Sequence, residues 1–159
     1  RVLKVNLLAQ MEILGVLLPL MVSRQSGHIV SVTSLAGKVS SPWRSCYAAA
    51  KHGLHGLLDT LRVENASSGI RVTAVVPGFL KTEISLHALK GDGELWNKND
   101  RNQLSGLEPK KAAERILSRL PLRKREIYVG YPLRAALALF LGTRFPRLFD
   151  RILKKSQYT

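Results

Sequence analysis

Gly27-His28-Ile29-Val30-Ser31-Val32-Thr33-Ser34, followed thirteen residues later by Tyr47-Ala48-Ala49-Ala50-Lys51, is the stretch on which the fold turns. The first part reads as a buried β-strand ending in hydroxyls, and Ser40-Ser41-Pro42 reads as a loop. A helix is expected from Tyr47 to about Ser67. Residues four apart share a helix face, so the Tyr47 phenol and the Lys51 ammonium point into a common space. A tyrosine and a lysine at this spacing occur on many helices as a surface pair. The order of strand, serine, loop and helix gives this pair its chemical meaning. An ordinary tyrosine is a poor proton donor at neutral pH, and a fixed cation nearby favours the phenolate. With the Ser34 hydroxyl holding a carbonyl or alcohol oxygen beside Tyr47, the three residues make an acid/base site for carbonyl reduction or alcohol oxidation.

Beyond Lys51, Leu54, Leu57, Leu58 and Leu61 form an i, i+3, i+4, i+7 stripe, with Arg62 and Glu64 expected to face water. Gly53 and Gly56 each cost about 1 kcal/mol against alanine in a helix interior, which suggests close packing on the sheet or on a second subunit. His52 and His55 lack a third metal ligand and read as solvated or packed. Ser67-Ser68-Gly69 ends the helix, and Ile70 to Val76 is the next strand. Strand, helix, strand over this length is a βαβ unit with parallel strands and a right-handed crossover. Ligands in such sheets sit at the carboxyl ends of strands, so Ser34 and the turn from Pro77 to Thr82 fall on one rim.

Upstream, residues 1 to about 25 are helical in pattern, with Leu3, Leu7, Leu14, Leu17, Leu18 and Met21 over a wide arc. So apolar a helix is expected to be buried. Its run from Ile13 to Val22 contains Pro19 and is short for a bilayer span. Asn6 reads either as a satisfied core amide or as an amide that props open the helix and binds a water leading to Lys51. Downstream, residues 83 to 107 read as a flap, polar but carrying Leu86, Leu89, Leu95 and Trp96, and thus suited to cover an apolar substrate. An ordinary surface insertion is the competing reading. Glu108-Pro109 opens a helix with Ala112, Ala113, Ile116, Leu117 and Leu120 on one side, and Glu126 to Gly130 is a last short strand.

The chain has 159 residues, 45% of them apolar, enough for one domain with a core. The single Cys46 excludes an internal disulfide and reads as a structural thiol. No secretory signal is read, and a start without Met suggests the interior of something longer. Net charge is +14 and lies mostly in the tail, where residues 110 to 159 hold thirteen Lys/Arg against three acidic residues. In residues 132–159, Arg144, Arg147, Arg151, Lys154 and Lys155 interleave with Phe145, Leu148, Phe149, Ile152 and Leu153. This is a basic amphipathic segment, expected to contact a membrane surface through residues 132–155. The alternatives are a helix closing over the substrate pocket or a subunit contact. No zinc spacing or nucleic-acid module accompanies the charge, and nucleic acid is disfavoured as a partner.

Val5-Asn6, Ser34, Tyr47-x-x-x-Lys51 and Pro77-Gly78-x-x-x-Thr82 together resemble, in order and spacing, the short-chain dehydrogenases/reductases. The resemblance is close over residues 1 to about 82. It implies an α/β fold, the C-terminal portion of a Rossmann-type doubly wound parallel sheet: three strands with flanking helices in residues 1–131. It implies an NADP or NAD cofactor, with NADP slightly favoured. Tyr47 would then be the general acid/base, Ser34 would bind the substrate oxygen, and Lys51 would activate the tyrosine and hold the nicotinamide ribose. Asn6 would serve a proton-relay water chain, and Pro77, Gly78, Phe79 and Thr82 would lie beside the nicotinamide. The flap and basic tail look most like the subgroup of dehydrogenase/reductase members 7 and 7B. That likeness implies a lipid-, steroid- or retinoid-like substrate touching Leu86, Leu89 and Trp96. It further implies a homodimer through helix 47–66 and a membrane-associated location of endoplasmic-reticulum or peroxisomal type, or the cytoplasm in a cell without these organelles. The family's T-G-x-x-x-G-x-G turn, which holds the pyrophosphate, is not in these residues, so the chain reads as the C-terminal half of such an enzyme. The alternative is a non-catalytic chain acting as a binding or dimerisation partner. An epimerase or dehydratase is disfavoured, because Pro77-Gly78 stands where Pro-x-Asn is expected.

Overall fold

The structure is a computed structural model and describes residues 1–156; the last three residues of the 132–159 segment lie outside the described residues. Its centre is a three-stranded parallel sheet in the order β1-β2-β3, formed by β1 (Gly27–Val32), β2 (Ile70–Pro77) and β3 (Glu126–Val129). Gly27 pairs with Ile70 and Val32 with Val75, while Ala74 pairs with Glu126 and Pro77 with Val129. The carboxyl ends of all three strands therefore form one rim, as the βαβ reading requires.

Helices cover both faces of β2, and its apolar run is nearly continuous for that reason. On one face, α1 (Ala9–Ser23) and α2 (Ser45–Glu64) close a core of Ile29, Leu54, Leu58, Leu61, Ile70 and Val72, with Leu7, Leu14, Leu18 and Met21 packed on its margin. On the other face, Ile116 and Leu120 pack over Val75, Ile127 and Val129. Ile116 belongs to α4 (Pro109–Arg119), which the missing N–H of Pro109 suits as a helix start. Each fully buried leucine such as Leu54 or Leu58 contributes on the order of 1.5–3 kcal/mol. Gly69, at φ +65°, turns the chain into β2 so tightly that a side chain there would run into the Gln25 carbonyl. After β2 come the short α3 (Arg101–Leu104) and α4, then β3, α5 (Leu133–Arg144) and α6 (Pro146–Ser156).

Several expectations need correction. The N-terminal helix carries no buried residue. The sheet and α2 receive one side of it only, and Leu8, Met11, Ile13, Val16 and Leu20 stay exposed. By length and composition the whole helix from Lys4 to Ser23 is apolar enough to cross a membrane, where the Ile13–Val22 run alone is not. Arg62 does not face water: its guanidinium lies back along α2, Nε donating to the Val72 carbonyl at 3.0 Å and Nη1 to Asp59 at 2.6 Å. Gly53 does pack closely, with Leu7 in the way of any added side chain, but Gly56 has open space in front of it. Ala113 and Leu117 are exposed on α4, because Ala112, Ile116 and, just past the helix, Leu120 are the residues that face inward.

Candidate active site

Ser34 leaves β1 in an extended conformation and opens a 3-10 turn over Leu35–Gly37, its Oγ accepting the Ala36 N–H at 3.1 Å. Its own O–H remains a donor. That turn lies directly on α2: a Cβ on Gly37 would come within 2.7 Å of both the Lys51 carbonyl and the His55 ring. Tyr47 is the third residue of α2 and is half-buried. Lys51, one turn on, is 6% exposed. Its Nζ lies 5.7 Å from the Tyr47 ring centroid and donates to the Val32 carbonyl at 3.2 Å. Burial holds the Lys51 ammonium below its ordinary pKa. Strand end, serine turn and helix start thus meet at one end of the sheet.

An ammonium has three donors, and the carbonyl of Val32 accepts from one of them. A buried cation with donors to spare matches vicinal hydroxyls such as those of a nicotinamide ribose, so the donor chemistry here fits that cofactor. Asn6 sits in a widened helical turn, Lys4–Leu8, where the Ala9 N–H reaches the Lys4 carbonyl five residues back. Such π turns gather at functional sites. The Asn6 amide donates to the Val2 carbonyl at 3.1 Å.

Pro77-Gly78 carries the chain past the rim. Gly78 donates to the Val129 carbonyl at 2.8 Å and Phe79 to the Gly130 carbonyl at 2.9 Å. A Cβ on Gly78 would fall 2.1 Å from the Gly130 oxygen, so only glycine allows this approach. Thr82 is exposed at the start of the flap. The flap folds on itself. Trp96 donates its N–H to the Ala88 carbonyl at 2.7 Å and Asn97 to the Leu86 carbonyl at 3.2 Å, with Leu89 bridging to Leu95. Leu86 and Leu89 are half-buried, whereas Trp96 is 47% exposed with the Lys98 ammonium 5.4 Å over its ring.

Two features escaped sequence reading. Arg44, just ahead of α2, donates to Asp100 at 3.0 Å and ties the base of the flap to the helix bearing Tyr47. Beneath the site, the Lys38 ammonium meets Glu126 at 2.5 Å, and the Tyr128 hydroxyl donates to the same carboxylate at 2.5 Å. Burial pushes the Glu126 carboxyl up, but Lys38 and Tyr128 outweigh it and hold it below its ordinary pKa. Burial and then Glu126 raise the Tyr128 hydroxyl. His55 is buried with Nδ1 3.8 Å from Glu126, and burial followed by Lys38 lowers its pKa, so at neutral pH it is an uncharged neighbour. A glutamate inside an otherwise apolar strand was the available signal, since such a group needs a buried partner.

A cleft of about 470 Å³ lies between the 38–42 loop and α6, with Ser40, Ser41, Pro42, His52, Phe149 and Leu153 on its walls. Neither Ser34 nor Tyr47 lines it, so the tail packs beside the rim and leaves Tyr47 uncovered by this cleft.

The parallel sheet, the crossover helix with Tyr47 and Lys51 and the serine turn define a class. The short chain dehydrogenase profile matches residues 1–91, and the chain belongs to that family. Among curated relatives, it is 36% identical over 153 residues to dehydrogenase/reductase SDR family member 7B of Bos taurus, covering 96% of this chain and 47% of the bovine protein. The chain therefore spans about half the length of the curated relatives it matches. A short-chain dehydrogenase from Streptomyces avermitilis superposes with a TM-score of 0.70 at 26% identity, over 98% of this chain and 60% of that one. A gluconate 5-dehydrogenase from Burkholderia cenocepacia, in complex with NADP and tartrate, gives 0.50 at 26% identity over 52% of this chain and 32% of its own.

Proposed function

We propose that these residues form the catalytic half of an oxidoreductase that interconverts a carbonyl and a secondary alcohol with a nicotinamide cofactor. The observation that carries this reading is the buried Lys51 ammonium beside the Tyr47 ring, with the Ser34 turn packed against the same helix. When bound, the reduced nicotinamide supplies the hydride. In the reducing direction Tyr47 donates its phenolic proton to the carbonyl oxygen, which the Ser34 hydroxyl also holds by donating to it. Lys51 stabilises the resulting phenolate electrostatically and binds ribose hydroxyls with its remaining donors. Asn6 stations a water on the route that returns the proton. Pro77, Gly78, Phe79 and Thr82 line the nicotinamide side of the rim, and the dinucleotide phosphates are held by residues outside this stretch. NADP is favoured over NAD, in keeping with the NADP complex of the Burkholderia relative.

Leu86 and Leu89, with Trp96, give the flap its apolar residues, and an apolar ketone or alcohol suits them. The test follows reduced-nicotinamide absorbance with apolar and polar ketones in the longest natural protein that carries these residues. Tyr47→Phe is expected to lower turnover about 10²–10⁴-fold; turnover at the parental level overturns the assignment. A second reading, pairing of two copies through helix 47–66, is favoured by the outer face of α2, where Gly56 has open space and Val63 is exposed. Sedimentation of the parental protein against Val63→Glu tests it, and an unchanged mass overturns it.

A further inference from the structure

The C-terminal helices α5 and α6 leave large apolar side chains exposed alongside their cations. Leu133, Leu137 and Phe140 recur at i, i+4, i+7 on α5, all exposed, and Arg144 ends the same stripe. The inward side of these helices is separately satisfied. Ala135 is buried, Gly142 lies against Val39 and Phe149, and Phe149 and Leu153 wall the cleft beside Pro42. Leu148 and Ile152 remain outside on α6, and Phe145 is exposed at the corner, edge-on to Phe140 at 5.9 Å.

At that corner Arg144, Arg147 and Arg151 surround an open depression floored by Phe145, Pro146 and Leu148. Among the described residues none of these three guanidiniums is in an ion pair. Asp150 is the one acidic residue from 133 to 156, against Arg134, Arg144, Arg147, Arg151, Lys154 and Lys155. Charge selects the occupant. A second copy of the chain placed face to face would set the three corner guanidiniums against three like charges, which opposes self-association through this surface. An anionic bilayer offers both complements at once, phosphates for planar guanidiniums and acyl chains for the leucines and phenylalanines beside them.

We propose that α5 and α6 form a docking surface for an anionic phospholipid bilayer. Arg144, Arg147 and Arg151 take lipid phosphate groups, while Phe145 and Leu148 with the Leu133–Leu137–Phe140 stripe enter the acyl boundary. This surface is separate from the acid/base residues and does not depend on their activity.

The experiment measures flotation of the 159-residue chain with phosphatidylcholine–phosphatidylserine vesicles and with pure phosphatidylcholine vesicles. Each basic residue near an anionic surface is worth a few-fold in affinity, so the triple variant Arg144→Gln, Arg147→Gln, Arg151→Gln is expected to lose roughly a hundredfold on the anionic vesicles. A second triple, Lys110→Gln, Lys111→Gln, Arg115→Gln on exposed α4, removes the same charge elsewhere and is expected to stay within about threefold. Circular dichroism checks that both triples keep the parental helicity. A third variant, Leu133→Ser, Leu137→Ser, Phe140→Ser, is expected to weaken flotation with no change in charge. Equal losses in the two charge triples, full retention by the corner triple or the stripe triple, or displacement of the chain from anionic vesicles by a nucleic-acid duplex at equal phosphate overturns the proposal.

Discussion

Lys51 and Arg147 are both cations set beside apolar side chains, and the chain uses them in opposite ways. At the sheet rim, Lys51 is 6% exposed with its ammonium between the Val32 carbonyl and the Tyr47 ring, and burial shifts its pKa down. On α6, Arg147 stands in water next to exposed Leu148, with no such enclosure. Desolvation turns a common cation into a tuned group, whereas exposure leaves it as part of a field that acts by sum. The rim is therefore sensitive to single substitutions, and the tail to changes in number.

That contrast can be broken most forcefully in the core. Leu58→Ala, on the buried face of α2, is expected to destabilise the chain by about 2–5 kcal/mol in chemical denaturation. A loss under about 1 kcal/mol would mean that α2 is not seated as described. Next comes the ion pair under the site. Glu126→Gln keeps an acceptor oxygen but removes the counter-charge of Lys38, and is expected to cost about 1–3 kcal/mol at neutral pH. Because the folded Glu126 carboxyl lies below its ordinary 4.5, its contribution is present above that value and is lost as pH falls through the folded one. The parental chain should therefore lose stability on acidification more steeply than Glu126→Gln, and parallel acid branches would remove Glu126 from the account. Lys51→Met carries the opposite sign. It abolishes activity in the proposed mechanism yet relieves a desolvated charge, so stability at neutral pH is expected to rise by about 1 kcal/mol. The folded Lys51 pKa lies below 10.5, so the parental chain gains stability between the lowered value and 10.5, and Lys51→Met lacks that gain. Smallest of all, Leu148→Ala on the open face of α6 should move stability by less than about 0.5 kcal/mol while still weakening vesicle flotation.

What was legible in the sequence follows from range. Residues 27 to 82 announce themselves because strand, serine turn, helix and strand are consecutive, and each carries its own period and its own stop. Ser34, Tyr47 and Lys51 could be placed together for that reason alone. Lys38 and Glu126 could not, since 88 positions separate them and only the β2–β3 pairing brings them face to face. The N-terminal helix shows a different failure. Its composition says that apolar surface must be covered, but composition does not say on how many sides, and the sheet covers one. The place of Arg62 opposite the leucine stripe points to solvent, but a long side chain can fold back to a strand carbonyl, here that of Val72.

The carbonyl that accepts from the Lys51 ammonium belongs to Val32, the last residue of β1, which pairs with Val75 of β2. Backbone bonds at the end of a strand open more readily than those in its middle, and amide hydrogen exchange measures that opening directly. The residence of the Lys51 ammonium at its post is thus coupled to opening at this end of β1. The exchange rate of the Thr33 amide, which donates to the Val75 carbonyl at 2.8 Å, becomes a clock for how long this geometry persists between excursions.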